Sequence, residues 1–384
     1  MSLKTPKMSF CTVQLSRGRN KLFKIAVVGA GPSGIYSALN ILTLFEKLNY
    51  NDFSLTILDK AQVRRTLLPT GNGRCNLTNS INDIKEFASN YPRGEKFLYS
   101  VFSRYFTFET LKFFSKMGIN TYSQPDNRVF PKSNSSKDVR DKMLSYLKSF
   151  KNVNLVNKNI SDIKSLNDFD RIVISTGSKS GDEFLKTTKH NIIPFRKSCC
   201  ALNIENPIYP KGVSVKSLDG DFIFTDKGIS GPLAFKISSL NSRLPFPYEI
   251  KISLFNVEDL KKQITLNPKK SIGNIVSGFI PRSLAHVIVD DFNKKASEIS
   301  SKKLKEYSVL NLKIISSDST GEIVNSGGVD LKELDKNFKS KLVKNLWFCG
   351  EVVDIDGFCG GFNLQNCWSS GYIVAYDIVN SIRN

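Results

Sequence analysis

Two glycine-rich turns, one near each end of the chain, place the strongest constraint on its fold. The first turn, Gly29–Gly34, follows the apolar run Lys24-Ile-Ala-Val-Val, and the second, Gly350–Asn363, follows Leu346-Trp-Phe-Cys. Both runs have the composition of a buried parallel strand, which is apolar on its two faces. Because each strand leads directly into such a turn, we expect the two ends of the chain to fold around one large ligand.

The spacing of Gly29, Gly31 and Gly34 is that of a dinucleotide-binding turn. In such a turn the first glycine permits the tight bend, the second lets the backbone approach a pyrophosphate, and the third lets the helix pack closely on the strand. The helix N-terminus then presents its N–H groups and its positive dipole end to the phosphates. Asp59 ends the next apolar run and is placed to accept a hydrogen bond from a ribose hydroxyl. The alternative is an ordinary glycine-rich turn between a strand and a helix.

The segment Thr70-Gly-Asn-Gly-Arg-Cys-Asn-Leu-Thr-Asn79 is the second candidate anchor. The Arg74 guanidinium can bind a phosphate or a carboxylate with two parallel hydrogen bonds. Asn76 and Asn79 can contact a ligand, and the alternative is a loop whose polar groups bond only to one another. Cys75 could form a redox pair with Cys359, but their separation in sequence favours buried, structural thiols.

Carboxylates follow the last strand of the C-terminal turn. Glu351 can hold the hydroxyls of a ribityl chain, and Asp354 and Asp356 come shortly after it. Alternatively, these acids cap Gly360-Gly361 or the next helix, or form a glycosidase-like pair, against which the flanking glycines argue. The helix that begins after the turn would direct its dipole at a flavin ring and favour the anionic reduced form. The two turns together predict FAD.

Composition limits the remaining possibilities. The 384 residues carry a net charge of +20, yet lysine is spread along the whole chain, so we expect no specific nucleic-acid site. Only two histidines occur, neither at ligand spacing from a cysteine or carboxylate, so we expect no metal site. The basic N-terminus lacks the apolar core of a secretory signal, and the apolar stretch 25–45 contains the glycine turn, so we expect a cytoplasmic protein without a membrane span.

The texture of the sequence changes along the chain and predicts its domains. Rossmann-like patterns stop near Ser178 and resume near Ile323, while short alternating strands and then a lysine-rich helical stretch lie between them. The predicted division is a tail at 1–23, an FAD-binding domain at 24–190 and 319–384, and an insert at 191–318 made of a β-barrel (191–256 and 308–318) and a helical part (257–307).

These motifs identify the chain as similar to the YhiN/BaiN-type, or aminoacetone oxidase, family of NAD(P)/FAD-dependent flavoprotein oxidoreductases. The resemblance covers almost the whole chain and implies an α/β fold: a Rossmann-like FAD domain of the two-dinucleotide-binding type, interrupted by a β-barrel insert with a small helical subdomain. It is carried by Val28-Gly-Ala-Gly-Pro-Ser-Gly34, Gly71-Asn-Gly-Arg-Cys-Asn-Leu-Thr-Asn79, Gly228-Ile-Ser-Gly-Pro232, Ser326-Gly-Gly-Val329, Gly350-Glu-Val-Val-Asp-Ile-Asp-Gly357 and Gly360-Gly-Phe-Asn-Leu-Gln365 with Trp368-Ser-Ser-Gly371.

The sequence therefore predicts an FAD-dependent oxidoreductase that transfers hydride to or from an unidentified small molecule, with NAD(P)H or O₂ as redox partner. Two alternatives stay open: a flavin-containing RNA-binding or RNA-modifying protein, and an NAD-dependent dehydrogenase without flavin. No catalytic residue is predicted. The predicted cofactor-binding residues are Gly29, Gly31, Ser33, Gly34, Asp59, Lys60, Gly73, Arg74, Cys75, Asn76, Thr176, Gly177, Gly350, Glu351, Asp354, Gly361, Phe362 and Asn363.

Overall fold

A computed structural model describes residues 22–60, 66–178, 182–318 and 324–383. The chain divides into two compact units, each with its own hydrophobic core. Unit 1 runs up to Arg196 and resumes at Asn325, and unit 2 is Lys197–Val324. The finer domain boundaries drawn from the sequence stay predictions, and the tail at 1–23 lies almost wholly outside the described residues.

Unit 1 has the α/β organisation that the sequence predicts. A parallel sheet forms its centre, and a separate three-stranded antiparallel sheet is formed by Thr78–Asn79, Arg128–Pro131 and Thr121–Ser123, in that order. The elements of its first part are β1 (Phe23–Val28), α1 (Pro32–Lys47), β2 (Phe53–Asp59), β3 (Thr78–Asn79), α2 (Ile84–Ala88), α3 (Glu95–Phe102), α4 (Thr107–Lys116), β4 (Thr121–Ser123), β5 (Arg128–Pro131), α5 (Ser136–Lys148), β6 (Val153–Asn157), β7 (Arg171–Ile174), α6 (Asp182–Lys186) and β8 (Ile192–Ser198).

Unit 2 carries antiparallel strands followed by short helices, and the chain then returns to unit 1. Unit 2 contains β9 (Leu202–Ile204), β10 (Ser214–Ser217), β11 (Gly220–Phe224), β12 (Gly228–Ser230), α7 (Pro232–Leu240), β13 (Tyr248–Ser253), α8 (Val257–Leu266), α9 (Ile272–Val276), α10 (Arg282–Ile288), α11 (Ser301–Tyr307) and β14 (Val309–Ser317). The last elements are β15 (Val324–Val329), which pairs with β8, then β16 (Leu346–Phe348) and α12 (Phe362–Arg383).

The central sheet of unit 1 has the strand order β16-β7-β1-β2-β6, and all neighbours in it are parallel. The last residue of β1, Val28, pairs with Leu58 on one side and with Ile174 on the other. Ile174 in turn pairs with Phe348 at the end of β16. The turns that follow these strands therefore leave the same edge of the sheet. The order reverses on either side of β1, and ligands of such sheets bind in the crevice that opens at this reversal.

Helices α1 and α12 pack against each other. Pro32 opens α1, where the missing N–H costs nothing, and every residue from Ser33 to Phe45 is buried. The helix is therefore enclosed by protein on all sides over these residues. Gly371 of α12 allows the close approach, since a Cβ there would lie 3.0 Å from the Ser33 carbonyl oxygen.

Unit 2 is built on a six-stranded antiparallel sheet with the order β10-β11-β12-β9-β14-β13. Its two edge strands meet at one end. The Leu218 N–H, just past β10, donates to the Ser253 carbonyl at the end of β13 over 2.9 Å, and the Ser253 N–H donates to the Asp219 carboxylate over 2.6 Å. These bonds curl the sheet towards a barrel, and α8–α11 supply the helical part. In the part of the chain that the structure describes, no helix is long and apolar enough to cross a membrane.

Candidate functional site

In the N-terminal turn, residues 29–34, surrounding protein atoms leave no room for a side chain at two of the three glycines. Gly29 has φ +104°, and a Cβ there would lie 2.5 Å from the Ser175 carbonyl oxygen. A Cβ on Gly34 would lie 2.0 Å from the Gly29 carbonyl oxygen. Any side chain at either position would displace backbone. These two glycines therefore bring β1, α1 and the end of β7 together.

Gly31 differs from these two glycines, because no backbone contact excludes a side chain at its position. It is the N-cap of α1 with an extended φ of −74°, and a Cβ there would meet only the Thr66 hydroxyl, at 3.6 Å. Among the described residues, none other than Thr66 and the chain neighbours of Gly31 comes within 4 Å of this position. A glycine also offers no side chain to cap the first-turn N–H groups of α1. An open face at a helix N-terminus with available N–H donors is the arrangement that binds a pyrophosphate, so these residues fit a dinucleotide.

Asp59, the last residue of β2, is buried beside this turn. Its carboxylate accepts a hydrogen bond from the Ala30 N–H, which fixes the turn to the neighbouring strand. Lys60, the next residue, is exposed. The position of Asp59 at the carboxyl end of a strand adjacent to β1 is the one that contacts ribose in dinucleotide-binding folds.

The C-terminal turn, residues 350–363, contacts the N-terminal turn. The Ser33 hydroxyl donates to the Cys349 carbonyl over 3.3 Å, and a Cβ on Gly350 would lie 2.3 Å from the Ser33 hydroxyl oxygen. The Gly350 N–H donates to the Ser370 hydroxyl over 3.0 Å, which ties the turn to α12. Residues more than 300 positions apart in sequence are therefore adjacent at the carboxyl edge of the sheet.

Two acids of this turn, Glu351 and Asp354, are half-buried and bond to residues that follow or belong to neighbouring strands. Glu351 accepts a long hydrogen bond of 3.5 Å from the Ser178 hydroxyl, which comes two residues after Thr176 and directly after Gly177. Asp354 accepts from the Gly327 N–H over 3.2 Å. The structure thus gathers the predicted residues of β1, β2, β7 and β16 along one edge of the sheet.

The 70–79 loop binds the start of α12. The Asn76 amide oxygen accepts a hydrogen bond from the Gly361 N–H over 3.0 Å. The amide nitrogen of the same side chain donates to the carbonyls of Thr78 and Val129. The Thr78 hydroxyl donates to the Gln365 side chain over 2.7 Å. Two further bonds run from the Asn79 amide to the Gly360 carbonyl and from the Trp368 indole to the Leu77 carbonyl. The loop therefore positions the helix start, and contact of Asn76 with a cofactor stays a prediction.

Other predicted residues of these segments also have partners inside the protein. The Asn363 amide forms a reciprocal pair with the backbone of Gly357, with both bonds at 2.8 Å, and Phe362 is buried. The Arg74 guanidinium lies over the Phe130 ring, 4.4 Å from its centroid, and is half-buried. Gly73, before it, has φ +80°. A ligand role for Arg74 stays a prediction.

The cysteines divide into two groups. Cys75 is buried, as predicted, but the prediction of burial is wrong for Cys359, which is exposed in the C-terminal turn. Connecting segments run over the surface of a protein, so a thiol in this turn is open to solvent. Burial raises the pKa of Cys349 to about 12, and burial raises the pKa of Cys367 well above its ordinary value. Thiols held neutral in this way are inert as nucleophiles.

A third segment, residues 90–94, holds the C-terminal turn and was not singled out by its sequence. Arg93 forms a two-pronged ion pair with Asp356, whose carboxylate is almost fully buried. The Tyr91 hydroxyl donates to the Phe362 carbonyl over 2.6 Å, and the Phe358 N–H donates to the Asn90 carbonyl over 2.9 Å. The available signal was the single arginine in the run Asn-Tyr-Pro-Arg-Gly, because a buried carboxylate requires a cation.

Comparison with known proteins agrees with this site. Residues 23–377 match the family model described as the HI0933-like protein Rossmann domain. The chain belongs to this family. It is 23% identical over 406 residues to the ribosomal RNA dihydrouridine synthase of Haemophilus influenzae, with 92% of this chain and 97% of that protein covered.

Two further curated relatives match at the same level. The ribosomal RNA dihydrouridine synthase of Escherichia coli is 23% identical over 410 residues, with 93% of this chain and 98% of the relative covered. The 3-dehydro-bile acid delta(4,6)-reductase of Clostridium scindens is 23% identical over 408 residues, with 91% and 97% covered. The family and the dinucleotide turn together make this chain an FAD-dependent flavoprotein oxidoreductase.

Proposed function

We propose that this enzyme is a reductase that adds hydrogen across a carbon–carbon double bond conjugated to a carbonyl group. The observation that carries the proposal is the shared chemistry of relatives with unrelated substrates. A dihydrouridine synthase and a delta(4,6)-reductase are named for hydrogen addition to a double bond, one in a uracil ring and one in a steroid. Each relative is matched over more than nine-tenths of both chains, so the reaction is the property that such distant members would share.

The residues at the sheet edge would bind the FAD in an extended form. The first-turn N–H groups of α1 beside Gly31 would hold the pyrophosphate, and Asp59 would accept from a ribose hydroxyl. Glu351 and Asp354 lie on the side where a ribityl chain would pass, while the start of α12 would lie at the flavin end. The predicted contacts of Thr176, Gly177 and Arg74 belong to the same proposal.

The bound flavin would supply the hydride, and the protein would supply binding, orientation and exclusion of water. The positive end of the α12 dipole, at Phe362, would favour negative charge on the ring. The 22-residue length of α12 and its ties to the 70–79 loop fix the direction of that dipole. We also propose NADH or NADPH as the electron source and a cytoplasmic location.

The substrate could be a small molecule, as the bile-acid relative suggests, or a uracil base within RNA. Two observations favour the uracil base within RNA as a second candidate substrate. Two of the three relatives described above act on ribosomal RNA by name, and this chain has 55 basic residues against 35 acidic ones. A net charge of this size attracts polyanions.

One experiment tests the reaction and separates the substrates. The FAD-loaded enzyme is reduced anaerobically with NADH or NADPH and mixed in turn with a 3-oxo-delta(4,6) bile acid, with uridine and with an unmodified ribosomal RNA transcript. We expect one of them to reoxidise the flavin and to gain two hydrogens by mass spectrometry, with free reduced FAD as the control. Reoxidation by O₂ alone, with none of these probes reduced, would contradict the proposal.

A further inference from the structure

A groove lies on the outer side of α4 in unit 1, and the cofactor site does not use it. Its volume is about 370 Å³. Ile119 and Leu111 are its apolar lining, and Phe108 stands beside them with 70% of its surface exposed. A phenylalanine on an amphipathic helix is ordinarily turned to the core, so this exposed ring leaves an apolar face open to a partner.

The charged groups around the groove are lysines. Lys112 and Lys132 line it, and the other polar residues of the lining, Ser115, Asn120 and Thr121, are uncharged. Lys116 and Lys47 lie close enough to Lys112 for the pKa of Lys47 to be lowered, first by burial and then by the charges of Lys116 and Lys112. Lys112 and Lys132 thus line the groove, and Lys116 on α4 and Lys47 at the end of α1 lie near Lys112, so a polyanion is attracted to this part of the surface.

The carboxylates on the elements nearby are engaged elsewhere. Glu109, on α4, accepts a hydrogen bond from the Phe106 N–H over 3.0 Å and caps the helix. Asp138, on α5, pairs with Lys142 at 3.1 Å, and Lys142 also donates to the Gly118 carbonyl. A bond from a neutral N–H leaves the negative charge on Glu109, so α4 carries one acid against Lys112 and Lys116, and positive charge predominates at the groove.

We propose that this groove binds a single-stranded RNA segment, with a base stacked on Phe108 and the adjoining phosphates on Lys112 and Lys132. Sequence-tolerant binding of single strands combines these two elements, an aromatic face for the bases and cations that follow the backbone. An acidic peptide would use the lysines but would have no need of the flat ring. The surface deepens the RNA alternative proposed above, and it would hold the strand while a uracil base reaches the flavin.

Fluorescence anisotropy with a labelled oligouridine tests the surface on the full-length, FAD-loaded protein. Phe108→Ala should weaken binding about tenfold, the range expected for loss of one base–aromatic stack. Phe108→Tyr should retain binding, because its ring face is preserved. Replacing both Lys112 and Lys132 with Ala should reduce the slope of log affinity against log salt by about 1.4, the value for two single-strand phosphate contacts.

A matched control removes the same kinds of group from unit 2. Leu266 is 73% exposed, and Lys269 and Lys270 lie just beyond it on the surface. The triple variant Leu266→Ala, Lys269→Ala, Lys270→Ala should bind oligouridine as the wild type does. Equal weakening by control and groove variants would overturn the proposal, as would failure of wild type to bind. Competition by polyglutamate that depends equally on Phe108 would assign the groove to an acidic peptide instead.

This binding assay involves no redox turnover. Loss of the reductase proposal would therefore leave the groove result standing, and loss of the groove would leave the reductase proposal standing.

Discussion

Different interactions hold the two glycine-rich turns of this enzyme in place. In the N-terminal turn, Gly29 and Gly34 are fixed by backbone-to-backbone contact, and Gly31 is left open. In the C-terminal turn, the chain is held by side chains from other segments, through Asn76 and Arg93. The glycine spacing of the first turn is enough to mark it as a turn from a strand into a helix, whereas the second turn depends on partners about 260 to 290 residues earlier that no spacing reveals.

This difference predicts how each turn fails. Substitution in the N-terminal turn creates a steric clash or blocks a ligand. Substitution at the partners of the C-terminal turn leaves buried polar groups without their bonds, which costs free energy in proportion to their charge and burial.

The largest effect is expected from Arg93→Ala. Its side chain is 11% exposed and that of Asp356 1%, so the variant would leave a buried carboxylate without its cation. The free energy of unfolding should fall by about 3–5 kcal/mol. Urea unfolding followed by circular dichroism measures this. Arg128→Ala is the matched control, because its pair with Asp126 is exposed and should contribute about 0–1 kcal/mol. Equal losses in the two variants would show that the 90–94 segment does not hold the turn.

A smaller loss of stability is expected from Gly34→Ala, and Gly31→Ala is expected to affect FAD binding instead. A Cβ on Gly34 would collide with backbone, so unfolding free energy should fall by about 3 kcal/mol. A Cβ on Gly31 meets only a hydroxyl at 3.6 Å, so the fold should be retained while FAD binding is lost. Thermal unfolding and flavin content, measured on both proteins, check this. A Gly31→Ala protein that keeps full flavin content would contradict the assignment of the pyrophosphate site.

Much of the fold could be predicted because its signals are local. The apolar runs and glycine spacing predicted the strands β1, β2, β7 and β16 and the helix α1. At the candidate site, the positions of Gly29 and Gly34 could be predicted because a turn from a strand into a helix with this spacing requires glycines there, and a Cβ at either would displace backbone. The amides of Asn76 and Asn363 bond to protein backbone in the structure, which the sequence did not show, and their predicted contacts with the cofactor stay predictions. One sequence does not show which distant segment supplies such partners, and Arg93 was missed for the same reason.

Asn76→Ala tests whether an uncharged side chain from a distant segment stabilises the C-terminal turn. The Gly361 N–H and two carbonyls would lose their bonds, so unfolding free energy should fall by about 1–3 kcal/mol, with weaker FAD binding as a consequence. Urea unfolding of the flavin-free protein, followed by flavin titration, separates the two effects. Ser80→Ala is the control, because the Ser80 hydroxyl, directly after this loop, makes only exposed hydrogen bonds, to Asn127. Weaker FAD binding with unchanged stability would instead indicate direct contact of Asn76 with the cofactor.

The smallest effect is chemical and compares two cysteines of the C-terminal region. Cys349 has a pKa raised to about 12 by burial, while Cys359 is exposed. Since the thiolate is the reactive form, iodoacetamide at about pH 8 should modify Cys359 and leave Cys349 unmodified in the folded protein. Peptide mapping by mass spectrometry reads both sites, and urea-unfolded protein shows that both can react. Modification of Cys349 in the folded state would mean that the end of β16 is open.

The flavin content of the wild-type protein tests the central claim most directly. Purified protein is incubated with excess FAD, passed through a desalting column, and its visible spectrum is compared with its protein concentration. The account predicts a flavin spectrum with one FAD retained per chain. A colourless protein, with intact circular dichroism and no retained flavin, would contradict it.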